Sequence, residues 1–263
     1  MGIFIAAAIS TALGIWFFRS LLRRVAKVDR ELLIIFGFAL PLSPIVNIAV
    51  KRPILEHVRS VWGLGASPSL WPWWFALVAL GVVGVSEESI KLLPLAWRPA
   101  RARAVERSEV VALAMAIGLA FGIGEAWFIG WAIHRTQPQI GQLPFYKLTG
   151  FIGERLLAMV LHTILVSLPI SGFLLSRGRV AQRSVAAMGL HCVVDFGPML
   201  YQCGYISPVP TLAILLLTVL PLLRRSVSYL DPLLQKGRKE ALEAGTVMFL
   251  RSDREKGRSA PPN

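Results

Sequence analysis

Apolar blocks of roughly membrane-crossing length recur between residues 3 and 223 of this 263-residue chain, and they restrict it to one kind of architecture. A hydrocarbon core of about 30 Å takes about 20 helical residues at about 1.5 Å each. Seven blocks approach or exceed that length, at approximately Ile3–Phe18, Leu32–Val50, Trp71–Trp97, Val110–Ile133, Glu154–Leu175, Ser184–Tyr201 and Thr211–Leu223. The expected fold is all-α: a polytopic transmembrane helix bundle over residues 1–223, followed by a basic tail, 224–263, that reads as cytoplasmic and partly disordered. The first and last blocks are short, and the last is also compatible with a re-entrant segment. No basic residue precedes the first block and its arginines follow it, so it reads as a retained helix rather than a cleaved signal. Composition agrees: 55% of residues are hydrophobic and only 16% charged, against about a quarter in soluble domains. No internal repeat and no soluble domain stand out.

The net charge of +13 does not point to nucleic acid, because of where the charge lies. Lys and Arg crowd the segments 19–31, 98–109, 176–183 and everything after 223, and are sparse in 51–70, 134–155 and 202–210. The alternation predicts an N-out, C-in orientation by the positive-inside rule, consistent with an odd number of spans. Basic residues of the tail are expected to lie against anionic lipid head groups. Trp62, Trp71, Trp73 and Trp74, with Trp127, Trp131, Phe145 and Tyr146, fall on the expected outer side as interface anchors. Only two cysteines occur, Cys192 and Cys203, so a metal would need His and carboxylate ligands.

Against this background the ionisable residues inside the blocks need a reason. Each costs about 2.5–3.5 kcal/mol at mid-membrane on insertion scales, and such residues usually face a protein interior and serve ion, proton or catalytic chemistry. They are Glu87, Glu88 and Lys91 in the third block, Glu125 in the fourth, His162 in the fifth, and His191 with Asp195 in the sixth. At about 1.5 Å per residue, Glu87, Glu125, His162, His191 and Asp195 all fall about 10–22 Å from the inner ends of their blocks, one common layer. His191 and Asp195 share a helix face, as do Glu87 and Lys91, and Glu88 is one turn from Lys91. Gly118 and Gly122 form a small-xxx-small pattern that lets another helix approach closely, and Glu125 follows on the same side. Four ionised carboxylates against one lysine is an imbalance that a low dielectric does not sustain, so protons or a cation must complete the cluster. Taken singly, each feature has a structural explanation, such as an ion pair for Glu87 and Lys91 or an interhelical hydrogen bond for His162. Four helices carrying the cost together point to a functional site.

The order of these elements resembles the intramembrane proteases of the YhfC and PrsW type, within the superfamily of CAAX-processing and bacteriocin-processing membrane proteases. The corresponding residues are Glu87-Glu88-Ser89-Ile90-Lys91, Phe121-Gly122-Ile123-Gly124-Glu125, His162, and His191-Cys192-Val193-Val194-Asp195. The stretches 154–162 and 190–196 look most like YhfC, and the resemblance covers roughly residues 75–205. A lysine three positions after the glutamates replaces the arginine four positions on of the CAAX-processing branch. The second motif ends in Glu rather than His. Both departures resemble the PrsW and YhfC branches. The resemblance implies a multi-pass protein of the bacterial cell membrane that hydrolyses peptide bonds of membrane-associated proteins or peptides.

On that reading Glu87 or Glu88 activates a water as general base, and Lys91 limits repulsion between the paired carboxylates. Glu125, His162 and His191 hold a divalent metal, zinc first among the choices, or the histidines hold the water with no metal. Asp195 is either a further ligand or the group that orients His191. The competing expectation from another class is an ion- or proton-coupled transporter, since the same residue types mark ion pathways. A third is a non-catalytic scaffold whose polar cluster joins the helices. Oligomeric state and substrate identity are not encoded in any motif.

Overall fold

A computed structural model describes residues 1–226 apart from 66, 105 and 176, together with residue 228. The basic tail expected over 224–263 lies almost wholly outside the described residues. In chain order the main helices are α1 (Gly2–Val25), α2 (Arg30–Val61), α3 (Trp73–Ile90), α4 (Arg107–Thr136), α5 (Thr149–Gly172), α6 (Arg177–Gln202) and α7 (Pro208–Ser226). All but α3 are long and apolar enough to cross a membrane, which makes six such helices among the described residues. The chain is a multi-pass membrane protein by this measure, and all its described regular structure is helical.

Helix α4 is the centre of the bundle. It packs against α5, α1 and α2, while α6 packs against α5 and α3. Its middle alternates small and large side chains, and Gly118, Gly122 and Gly124 set how near the neighbours come. A Cβ at Gly118 would stand 2.4 Å from Thr163 Cα, one at Gly122 2.9 Å from Met159 Cα, and one at Gly124 2.1 Å from the Leu40 carbonyl oxygen. The first two belong to α5, the third to α2. In a membrane, where lipid is as apolar as the core, such close packing carries the association of helices. The ends of α4 are marked electrostatically: Glu109 lies in the first turn, His134 and Arg135 in the last, each complementing the helix dipole.

Three departures from the expected blocks matter for the site. The third block does not run to Trp97. Pro94 has no N–H and its ring conflicts with the carbonyl four residues back, so α3 ends at Ile90 and a 3-10 turn, Leu93–Ala96, follows. Glu87 and Glu88 therefore sit in the last turn of α3, with Lys91 capping it. The second block runs on past Val50: after a break at Leu40 and Pro41, a π turn at Asn47–Lys51 leads into Arg52–Val61. Lys51 is thus part of a helix and not of an outer loop. Arg155, also counted with an outer segment, lies in the second turn of α5 and is buried.

The aromatic residues expected as anchors gather where helices meet. Trp62 at the end of α2 packs on Trp74 at the start of α3, with ring centroids 4.3 Å apart. Tyr205, beyond the end of α6, donates to the Trp71 carbonyl at 2.7 Å. At the opposite end, Asp29 caps α2 by accepting the Leu32 amide at 2.9 Å and pairs with Arg103 at 2.6 Å, which also holds Glu109 at 2.7 Å. Helix α7 differs from the others, with 6% of its apolar window buried. Leu215 and Val219 rest on Leu161 and Val194, and Ile214 lies against Gly197 of α6, so the contact is apolar throughout.

Two outcomes follow. Gly118→Val forces α4 and α5 apart and should lower unfolding stability in detergent by about 1–3 kcal/mol, the usual range for overpacking; Gly81→Val, where a Cβ meets nothing within 4 Å, serves as the control and should unfold close to wild type. The Asp29 carboxyl is held below the usual carboxylate range, first by the Leu32 amide and then by Arg103. A depressed folded value stabilises the fold above the unfolded value, and that contribution disappears as pH falls through the folded one. Asp29→Ala should therefore cost about 1 kcal/mol at neutral pH, a typical N-cap loss, and the gap to wild type should narrow below about pH 4, near the ordinary aspartate value.

Candidate functional site

The two consecutive glutamates at the end of α3 face different helices. Glu88 turns toward α6, where its Oε1 accepts from Lys91 Nζ at 2.5 Å and from His191 Nδ1 at 2.6 Å. Glu87 turns toward α2, where its Oε1 accepts from Lys51 Nζ at 2.6 Å. The π turn at Asn47–Lys51 is what aims Lys51 here, because the wider turn rotates the residues after it relative to a regular helix. Glu87 Oε2 and Glu88 Oε2 are both buried and accept no hydrogen bond from the described residues.

From Lys91 the chain of contacts crosses to α5 and α4. Its Nζ lies 2.8 Å from His162 Nδ1 and 4.7 Å above the Phe121 ring. An ammonium only donates, so Nδ1 accepts and His162 carries its proton on Nε2. That Nε2 lies 3.0 Å from Glu125 Oε2, which is also 3.0 Å from Arg155 Nη1. The Arg155 Nε and Nη2 atoms are held by Glu154, the neighbouring residue. On α6, His191 places Nδ1 on Glu88 and Nε2 3.2 Å from Asp195 Oδ2 and 3.7 Å from Glu87 Oε2. Each ring nitrogen faces a carboxylate oxygen, an arrangement that an imidazolium satisfies by donating on both sides.

All seven residues singled out in the sequence therefore meet in one cluster, on α3, α4, α5 and α6. Two more belong to it that sequence reading missed, Lys51 and Arg155. They change the electrostatics. Five carboxylates, Glu87, Glu88, Glu125, Glu154 and Asp195, now face Lys51, Lys91 and Arg155, and an imidazolium at His191 leaves a single negative charge in excess, on a cluster whose Glu154 and Asp195 are partly exposed. The charge argument for an added cation is weaker than the sequence alone makes it. Arg155 had left a signal, since it precedes His162 by two helical turns and so shares its face. Lys51 had left none, because no pattern announces the π turn.

The donors best placed for a metal ion also differ from the expected set. Glu87, His162 and His191 offer ligand atoms within 4.8 Å of one another, all three buried. Two imidazoles and a carboxylate suit a divalent ion such as zinc once His191 has released one ring proton, and the free Glu87 Oε2 supplies an unused lone pair. An ion taking His162 through Nδ1 would replace the Lys91 ammonium there. Glu125 and Asp195, expected as ligands, stand outside that set: Glu125 is engaged by Arg155 and His162 Nε2, and Asp195 Oδ2 meets His191 Nε2, the same ring nitrogen that Glu87 Oε2 approaches. Of the two roles open to Asp195, its geometry supports orienting His191.

Two openings reach the cluster. A cavity of about 100 Å³ is lined by Glu125, Arg155, His162, His191 and Asp195 and bounded by Leu215 of α7. A wider one of about 350 Å³, lined by Asn47, Lys51, Arg52, Val83, Phe128 and Trp131, approaches from the α2 side. Asp195 and Glu154 are the partly exposed members, with 38% and 53% of their side chains accessible.

Lys51→Met leaves the Glu87 carboxylate buried without its partner and should destabilise the fold by about 3–5 kcal/mol, whereas Lys51→Met with Glu87→Gln removes both charges and should recover most of that loss. Thermal unfolding of the two variants and of Glu87→Gln in detergent checks it as a double-mutant cycle.

No protein-family model matches this sequence, and comparison with curated proteins and with solved structures likewise finds no match.

Proposed function

We propose that the chain is an intramembrane peptidase of the cell membrane, spanning it seven times with α3 as the shortest span, N-terminus outside and C-terminus inside, and that it cuts peptide bonds of membrane-associated proteins or peptides. The observation that carries the reading is Glu87: one carboxylate oxygen is fixed by Lys51, the other is free, buried and beside two imidazoles. A general base needs that combination of fixed position and unused lone pair. Glu88 is less suited, since its Oε1 already accepts from Lys91 and His191.

In the reaction, a water entering by the small cavity donates to Glu87 and is oriented by the two histidine rings. Lys51 fixes the Glu87 carboxylate through its hydrogen bond to Oε1, and Asp195 fixes the His191 ring. Glu87 takes a proton as the water oxygen adds to the peptide carbonyl, then passes it to the departing amine. Should a divalent ion be present, Glu87, His162 and His191 are the residues that would hold it, and it would supply Lewis-acid polarisation and a more acidic water. Lys91 would then shift from His162 to Glu88 alone.

Carriage of ions or protons is the second reading, and one observation favours it. Cavities lie on both sides of the cluster, and Lys51, Glu87, His191 and Asp195 stand in succession between them, at 2.6, 3.7 and 3.2 Å.

The test uses purified protein in proteoliposomes with a library of quenched single-span peptides. Wild type should release fragments, identified by mass spectrometry, and Glu87→Gln should cut at least about 10²-fold more slowly, the lower range for loss of a general base. Pairing it with Lys51→Met keeps the fold intact for the comparison. Pumping or ion-dependent flux without any fragment would replace the peptidase with the carrier.

A further inference from the structure

Arg155 is the one arginine or lysine among the described residues that line the small cavity, and the mechanism above does not use it. It is buried, 7% accessible, in a segment where a buried arginine needs a reason. Its guanidinium is clamped from two sides. Glu154 takes Nε and Nη2, and Glu125 approaches Nη1 to 3.0 Å. That last contact is an ion pair without hydrogen-bond alignment, so Nη1 remains a buried donor with no acceptor among the described residues. A buried donor left unmade costs about 1–3 kcal/mol, and the side chain that carries it is one of those lining the cavity that His162 and His191 also line.

The chemistry of the missing acceptor is constrained. Two carboxylates already neutralise the guanidinium, and Asp195 adds a third negative group at the same cavity. A free anion gains little there. A carbonyl oxygen is neutral when it arrives, needs only an N–H, and becomes negative during attack, when an adjacent guanidinium helps most. The cavity, at about 100 Å³, has room for a peptide unit and a water but not for a folded segment.

We infer that Arg155 is a catalytic residue whose Nη1–H receives the oxygen of the scissile carbonyl, with Glu125 and Glu154 holding the guanidinium in place. The assignment rests on the peptidase reading. When water oxygen bonds to the carbonyl carbon and its proton goes to Glu87, the carbonyl π pair moves onto oxygen beside Nη1. On collapse that pair returns, the C–N bond breaks, and the amine departs with the proton from Glu87. No oxidant or further reactant is required. Glu125 then serves the arginine rather than the water.

Two variants and two ligands test it, with a quenched single-span peptide that wild type cleaves and its phosphinate analogue, which carries tetrahedral anionic oxygens at the cleaved bond. Arg155→Gln should lower kcat by about 10²–10³-fold, the range for one lost oxyanion donor, with KM unchanged. It should weaken the phosphinate by a similar factor and leave an uncleavable amide analogue bound as before. Arg155→Lys keeps a charge beside Glu125 and guards against loss of fold. It should still lose at least tenfold in kcat, because one ammonium cannot satisfy both carboxylates and the carbonyl. If wild type cleaves while Arg155→Lys keeps full kcat, or if the loss falls on KM and on both analogues alike, the assignment is overturned and the peptidase reading stands. If wild type cleaves none of the peptides and binds neither analogue, the peptidase reading itself fails and takes the assignment with it.

Discussion

Compensation of buried charge is the condition on which this structure rests. A bundle whose spans are mostly aliphatic carries four carboxylates near its middle, and none could stay there as an isolated ion. Each meets a cation or an imidazole contributed by another helix or a neighbouring turn: Lys51 from α2, Lys91 past the end of α3, Arg155 from α5, His191 from α6. The pairings also act as geometry. Because Lys51 with Glu87, His191 with Glu88 and Arg155 with Glu125 join different helices, satisfying these charges fixes how those helices stand relative to one another. Surface ion pairs such as Arg52 with Glu56 carry no such constraint, being solvated and worth little.

What lets the partners meet is the shape of α4 and the interruption of its neighbours. Gly118 and Gly122 bring the α5 backbone in close enough for Glu125 to reach both His162 and Arg155. Pro94 stops α3, so Lys91 can fold back over Phe121 toward His162 rather than continue along a helix axis. The π turn in α2 aims Lys51. The polar centre is thus assembled from places where regular helix is broken or thinned, the usual origin of functional geometry in a membrane where unbroken helices present only side-chain stripes.

Much of this was legible in the sequence. Block lengths identified the helices, the i, i+3 and i, i+4 spacings placed His191 with Asp195 and Glu88 with Lys91, and the glycine pair marked the approach of a neighbour. The limits were physical too. Hydropathy ends a block at the first charged residue, whereas a helix continues until its hydrogen bonds fail, so α2 was cut short at Val50 and Lys51 was assigned to a loop. Arg155 falls inside the block Glu154–Leu175 but, standing at its first turn, is counted with the charges of the outer segment 134–155. Those two omissions then made the cluster look more acidic than it is and strengthened the case for a metal. Pro94 was in plain view, but the apolar residues around it outweighed it.

Helix α7 bounds the small cavity through Leu215, and Val219 and Ile214 pack beside it against α5 and α6. In water such a contact would be held by the cost of exposing it. In a bilayer that cost vanishes, and a lipid tail or any other apolar helix could cover the same surface nearly as well. The wall beside the arginine is therefore set by shape fit at Gly197 and by competition with the surrounding membrane. The acyl chains that pack against the outer face of α7 thereby become a variable of the site.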